Sequence, residues 1–417
     1  MSPTIRRRPR LAAGCALVVL AALAAGPAWA EPAPAYAELL ARLDQTPAAS
    51  EAVALVDAAE ARVRQARVRP NPNLSLTAEN VGGSGPYSGF GAADLSLSFS
   101  QDLELWGRRP ARVNVARAEA GSAALRRDLT LIDAGGRLAL TYAEAEAAQR
   151  RTQLAEEGLS LALADARAAL ALVEEGREPL LRWFQAESEA AAARARLDEA
   201  QAERQAALAR LTAIAMLPAP ATSIEASLLD AAVSVQPTPV DSAPTVRVAE
   251  SEATAAERRI EVERINGRPD VTASVGVTRY GLEDETALTV GLSLPLPLFN
   301  RNRGNIDAAR AEFRAAEARV LQARQDANAD RSAATARLAS SGSRVSAADA
   351  GVKAAEEAYR LSRLGADAGR ISQLELRVSR TALINARSAA VDARLSRVRA
   401  EIDLARLEGR APFQGNS

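Results

Sequence analysis

The chain has 417 residues, 52 Lys+Arg against 52 Asp+Glu, one cysteine, two methionines and no histidine. That inventory excludes a His-based triad, a His/Cys zinc site and a Met-rich soft-metal site. The lack of a basic excess speaks against nucleic acid as a partner, and no short Asp/Glu constellation stands apart from the helical charge pattern. The expectation is a non-enzymatic chain with no catalytic residue, no cofactor and no bound metal.

In chain order, residues 1–30 read as a removable targeting segment: Arg6, Arg7, Arg8 and Arg10 precede an apolar run, and Ala28-Trp29-Ala30 forms an A-x-A cleavage site. The mature chain then starts at Glu31, and taking four arginines from 52 leaves 48 basic against 52 acidic residues, a net charge near −4. A rival reading makes Cys15 a lipidated cysteine, but Cys15 lies near the start of the apolar run, where a lipobox should follow it. No later run of about 18 apolar residues suggests a transmembrane helix. Membrane entry as β-structure, whose sequence signal is weaker, stays open.

The remainder is one unit written twice. Leu103-Glu104-Leu105-Trp106-Gly107-Arg108 aligns with Leu296-Pro297-Leu298-Phe299-Asn300-Arg301 at an offset of 193, and Gly176-Arg177 falls on Gly369-Arg370 at the same offset. The first repeat is expected over 31–216, a linker over 217–243, the second repeat over 244–408 and a tail over 409–417. Each repeat opens with a helix, about 48–69 and 244–267, that stops before Pro70 or Pro269. A β-hairpin follows, about 72–105 and 270–299, joined by GGSGPYSGF in the first copy and GLEDET in the second. Long helices follow over about 110–175 and 303–364, close to 100 Å at 1.5 Å per residue, and return helices over 179–216 and 372–408.

The clearest strand is LTVGLSLPLPLFNRNRG, Leu288–Gly304: Leu288, Val290, Leu292, Leu294, Leu296 and Leu298 alternate with small or polar residues or proline. Pro295 and Pro297 mark the bend where strand gives way to helix. Four strands are too few to close a barrel, and an open edge cannot sit in hydrocarbon, so several chains must join. Two chains give eight strands and a filled interior; three give twelve and begin to leave a lumen. Leu95, Leu97, Phe99, Leu288, Val290, Leu292 and Leu294 are then the lipid-facing positions, and Trp106 and Phe299 the interfacial aromatics. The alternatives are an ordinary soluble sandwich face and a solitary coiled-coil scaffold.

Two helical tips complete the picture. At LGADAGRISQLEL, Gly369 suits a helix C′ position, and Ser372 with Glu375 forms a capping box. At EEGREPLL, Gly176 makes the turn and Pro179 stands at the first helical position.

The signal segment, the duplicated unit, RPNPNLSL, ENVGGSGPYSGF, LELWGRR with its copy LPLPLFNRNRGN, and AYRLSRLGADAGRISQLEL together resemble the TolC-like outer-membrane efflux family. The glycine-rich loop and the LELWGRR end look most like its CzcC-type heavy-metal branch. The resemblance implies an α+β membrane protein: a homotrimer with a 12-stranded outer-membrane β-barrel continued by a periplasmic α-barrel. It also implies a periplasmic adaptor and an inner-membrane pump of the resistance–nodulation–division type as partners. The cargo implied is a heavy-metal cation such as cobalt, zinc or cadmium; drug efflux, type I secretion or a periplasmic adaptor are the alternatives. The family's docking motif maps onto Leu364, Gly365, Gly369 and Ser372, with Arg370 beside them. Gly176, Arg177 and Pro179 mark the first tip, which lacks the Leu-Gly pair.

Overall fold

The computed structural model describes residues 31–231 and 242–413. The targeting segment with Cys15, the middle of the linker and the last four residues lie outside the described residues.

The elements run α1 (Tyr36–Ala41), α2 (Pro47–Arg67), β1 (Asn73–Glu79), β2 (Asp94–Leu103), α3 (Arg108–Glu174), α4 (Leu180–Ile214), α5 (Pro244–Asn266), β3 (Val271–Tyr280), β4 (Glu285–Ser293), α6 (Arg303–Asp367) and α7 (Gln373–Glu408). Local chemistry sets the boundaries. The Thr46 hydroxyl accepts from the Ala49 N–H at 3.4 Å ahead of Pro47, capping α2. Val68 turns extended (ψ 138°), two residues before Pro70, and α2 stops. Trp106 and Gly107 take φ 63° and 77°, and this left-handed pair redirects the chain from β2 into α3. At 67 and 65 residues, α3 and α6 each extend about 100 Å. No described helix is long and apolar enough to cross a membrane.

By their contacts the described residues form two compact units. One contains Leu40–Ala139, the described part of Ala232–Ser346, and Ser396 onward. Its four strands make one antiparallel sheet in the order β1-β2-β3-β4. The central β2–β3 ladder, from Leu95↔Arg279 to Leu103↔Val271, joins a strand of each repeat. Helix packing rests on small side chains: Ala66 against Val113 and Ala116, and Ala253 and Ala256 against Ala316. Arg112 ties α2 to the end of β2, donating to the Ala66 carbonyl at 3.1 Å, the Val68 carbonyl at 3.0 Å and Glu104 Oε1 at 2.6 Å.

The same unit buries Glu401 at 0% exposure, with one carboxylate oxygen bonded by Arg410 at 2.7 Å and the other unpartnered. Burial lifts its pKa above the ordinary carboxyl value; Arg410 opposes the shift and Glu408 adds to it. A carboxyl raised on folding adds stability below its unfolded value and loses it as pH climbs through the folded value. Glu401→Gln is therefore expected to flatten the fall in melting temperature between acidic and neutral pH, read by thermal unfolding in detergent. An unchanged pH profile would show that Glu401 carries no such charge penalty.

The other unit contains the described residues up to Leu39, Leu140–Ala231 and Ala347–Leu395. Arginines of α7 lace its helices: Arg380 to Asp165, Arg377 to Glu189 at 2.6 Å, and Arg387 to Glu157 at 2.7 Å and Glu356 at 3.0 Å. Glu146 of α3 is buried and fully satisfied. Oε2 accepts from the N–H groups of Leu228 and Leu229 at 2.8 and 3.0 Å, and Oε1 from Ser227 Oγ and Arg150, both at 2.7 Å.

Candidate functional site

Two features carry chemistry, the sheet and the tips. Strand alternation sorts the sheet's side chains into two unlike faces. On one, Leu74, Phe99, Val275 and Val290 form one cross-strand row, and Leu76, Leu97, Val277 and Leu288 the next. All eight are exposed, Leu288 at 70% and Val290 at 77%. A contiguous apolar surface of this kind marks contact with lipid or another protein. The predicted positions Leu95, Leu97, Phe99, Leu288, Val290 and Leu292 share this face.

Leu294 does not lie on a strand: β4 ends at Ser293. The next residue but one, Pro295, has no N–H to donate, so the ladder stops short of the predicted strand end. Leu294, Leu296 and Leu298 stay exposed beyond it.

The opposite face was only half visible in the sequence, as the small residues between the leucines. It is a hydroxyl surface: Ser75 Oγ meets Ser98 Oγ at 2.7 Å, and Ser96 Oγ meets Thr278 Oγ1 at 2.8 Å. Cross-strand hydroxyl pairs satisfy one another and leave the middle of this face polar but uncharged. The sheet ends at β1 and β4, each with one unpaired backbone edge.

Trp106 and Phe299 do not pair with each other. Trp106 is half exposed, donates its indole N–H to the Pro269 carbonyl at 3.3 Å, and carries the Arg268 guanidinium 5.5 Å from its ring centroid. Phe299 is 99% exposed.

At the tips the two repeats use the same turn. Gly369 (φ 68°) donates to the Ala366 carbonyl at 3.0 Å, and Arg370 to the Gly365 carbonyl at 2.8 Å. Gly176 (φ 71°) donates to Val173 at 2.9 Å, and Arg177 to Leu172 at 2.9 Å. Both are Schellman closures, for which a glycine at C′ carries no Cβ penalty. Beyond the turn the tips diverge. Ser372 and Glu375 exchange hydrogen bonds, Glu375 Oε2 accepting from the Ser372 N–H at 2.9 Å and the Ser372 hydroxyl from the Glu375 N–H at 3.2 Å.

Pro179 departs from expectation. It occupies the N-cap, with ψ 148°, and α4 begins at Leu180. An extended ψ places a residue just outside a helix, so proline precedes the first turn here.

The sequence reading also passed over apolar residues next to the tips. Leu180, Leu181 and Phe184 on α4, and Leu374 and Val378 on α7, are exposed alongside Leu364. The uninterrupted Leu-Leu after Pro179 signalled Leu180 and Leu181 alone.

With the two-faced sheet, the paired hairpins and the long helices in place, comparison with known proteins becomes informative. The sequence model of the Outer membrane efflux protein family matches residues 41–215 and 240–410. This chain belongs to the outer membrane efflux protein family. It is 39% identical over 323 residues to the nickel-cobalt-cadmium resistance protein NccC of Alcaligenes xylosoxydans xylosoxydans, covering 76% of this chain and 74% of the relative. It is 37% identical over 305 residues to the nickel and cobalt resistance protein CnrC of Cupriavidus metallidurans, covering 72% of each. In fold it resembles the outer membrane protein VceC of Vibrio cholerae, with a TM-score of 0.73 at 20% identity, over 90% of this chain and 96% of that one. The family resemblance carried by the sequence motifs therefore holds, and the relatives fall on its heavy-metal side. In this efflux-family chain, long helices with one small antiparallel sheet reproduce the fold of TolC-like outer-membrane channels.

Proposed function

We propose that three copies close their sheets edge to edge into a twelve-stranded barrel in the outer membrane, its apolar face toward lipid and its hydroxyl face toward a water-filled lumen. The helices continue the passage through the periplasm, and the assembly is a passive duct without enzymatic activity. The single observation that supports this most is the exposed apolar face on a sheet with two unpaired edges, because hydrocarbon tolerates a sheet only when every edge is closed. Trp106 and Phe299 act as the interfacial aromatics.

The duct serves a tripartite pump. A periplasmic adaptor and an inner-membrane pump of the resistance–nodulation–division type load heavy-metal cations such as cobalt, zinc or cadmium, and the nickel, cobalt and cadmium resistance named for NccC and CnrC supports a metal cargo. A chain without histidine suits a duct, which needs a wet wall and no ligands that hold the cargo back. Deleting the gene should raise sensitivity to cobalt, nickel, zinc or cadmium; unchanged tolerance to all four, with sensitivity to drugs alone, would reject the metal assignment.

The adaptor docks at the tips, on Gly176, Arg177, Pro179, Leu364, Gly365, Gly369, Arg370 and Ser372. Loss of the Ser372 cap costs only about 1 kcal/mol, so Ser372→Lys should leave trimer and insertion intact. Metal resistance should fall sharply in that variant, and full resistance at normal protein levels would remove the second tip from the docking surface.

A further inference from the structure

The loop end of the sheet carries a contact that the duct reading does not use. Asp94, the first residue of β2, accepts from Asn80 Nδ2 at 2.8 Å through one carboxylate oxygen. Its other oxygen accepts from the Gly281 N–H at 2.8 Å. Asn80 leaves β1 with φ 56°, and Gly281 opens the β3–β4 turn. One carboxylate thus ties the loop of the first hairpin to the turn of the second. Close packing reinforces it: a Cβ at Gly281 would lie 2.5 Å from the Ala93 carbonyl oxygen and 2.6 Å from the Ala92 carbonyl carbon, backbone atoms that cannot yield. Ala92 is buried there. The returning limb of the 80–93 loop therefore runs along the rim of its own sheet.

Among the described residues, the backbone hydrogen bonds of the rest of that loop stay within it, Ser88 N–H to the Gly85 carbonyl and Ala93 N–H to the Phe90 carbonyl, both at 3.2 Å. Five glycines lie between 82 and 91, two of them at positive φ (Gly85 and Gly89), and Phe90 is 84% exposed. Ten residues doubled back on themselves reach about 15 Å. A twelve-stranded barrel with about 4.8 Å between tilted strands has a radius of about 12 Å. An unclasped loop is long enough to reach the axis.

We infer that Asp94 is a clasp that lays the 80–93 loop along the rim and keeps the outer mouth of the duct clear, and that releasing it lets the loop swing across the opening. The inference rests on the barrel reading above.

The test is conductance of the full-length protein in planar bilayers, for wild type, Asp94→Ala, Asn80→Ala, and Asp94→Ala with residues 83–90 deleted. The wild type should show steady openings. Asp94→Ala should spend about tenfold more time closed, the shift expected from losing a charged hydrogen bond. Asn80→Ala, which keeps the Gly281 contact, should lie between, and it carries the test if Asp94→Ala fails to insert. Deleting 83–90 in the Asp94→Ala background should restore steady openings. Steady wild-type-like openings in both point variants would overturn the clasp while leaving the duct standing. A wild-type protein that forms no channel would overturn both.

Discussion

Val290→Arg should keep the protein out of the outer membrane, whereas Thr289→Arg, one residue earlier, should not. Val290 stands at the edge of the row Leu74–Phe99–Val275–Val290, 77% exposed on the apolar face. In the proposed trimer, an arginine on the lipid face near the midplane costs about 2–4 kcal/mol per copy, or about 6–12 kcal/mol over three copies. Thr289 pairs with Gly276 on the hydroxyl face, where an added charge meets water in the barrel reading and alters selectivity at little cost in stability. Outer-membrane fractionation and heat-modifiable migration of the two variants separate the readings. Equal loss in both would point to general damage to β4, and equal insertion would mean the apolar face does not meet lipid.

Glu146→Ala is expected to be the most damaging single change in the unit that carries the tips. The substitution deletes the acceptor for two backbone N–H groups, one hydroxyl and one guanidinium, while Leu228 and Leu229 remain buried. Removing one side of a buried charged network costs about 3–5 kcal/mol, because the other side loses its partners without regaining water. The melting temperature in detergent should drop, and the stretch from Ile224 to Asp230, which Glu146 and Gln149 pin to α3, should become the first site of proteolysis. Glu146→Gln keeps one acceptor oxygen and should lose less. A Glu146→Ala protein that melts with the wild type would show that Gln149, Tyr142 and packing hold the segment without Glu146.

The strands were legible because a period of two stands out against Ala/Glu/Arg/Leu helix composition, and that period alone puts Leu288, Val290 and Leu292 on one face. The helices were legible from composition, and the turns at Gly176 and Gly369 from the need for a left-handed residue. What the sequence hid depends on distant partners. The β2–β3 ladder pairs residues more than 160 positions apart, so neither the row through Phe99 and Val275 nor the Asp94–Gly281 bond was visible. Glu146 sits in an ordinary helical charge pattern and differs from a solvated glutamate only once the 227–229 turn covers it. Leu294 was over-read because alternation continues past the point where Pro295 ends the hydrogen bonding. Pro179 was misplaced by one residue because proline's usual place is N1, whereas its ψ of 148° leaves it just outside the first turn.

The most direct test is the mass of the detergent-extracted particle, measured together with its partition between membrane and soluble fractions. The proposed twelve-stranded, water-filled barrel predicts three chains per particle, recovered from the outer membrane. A single chain that stays in the soluble periplasm and needs no detergent would contradict the account.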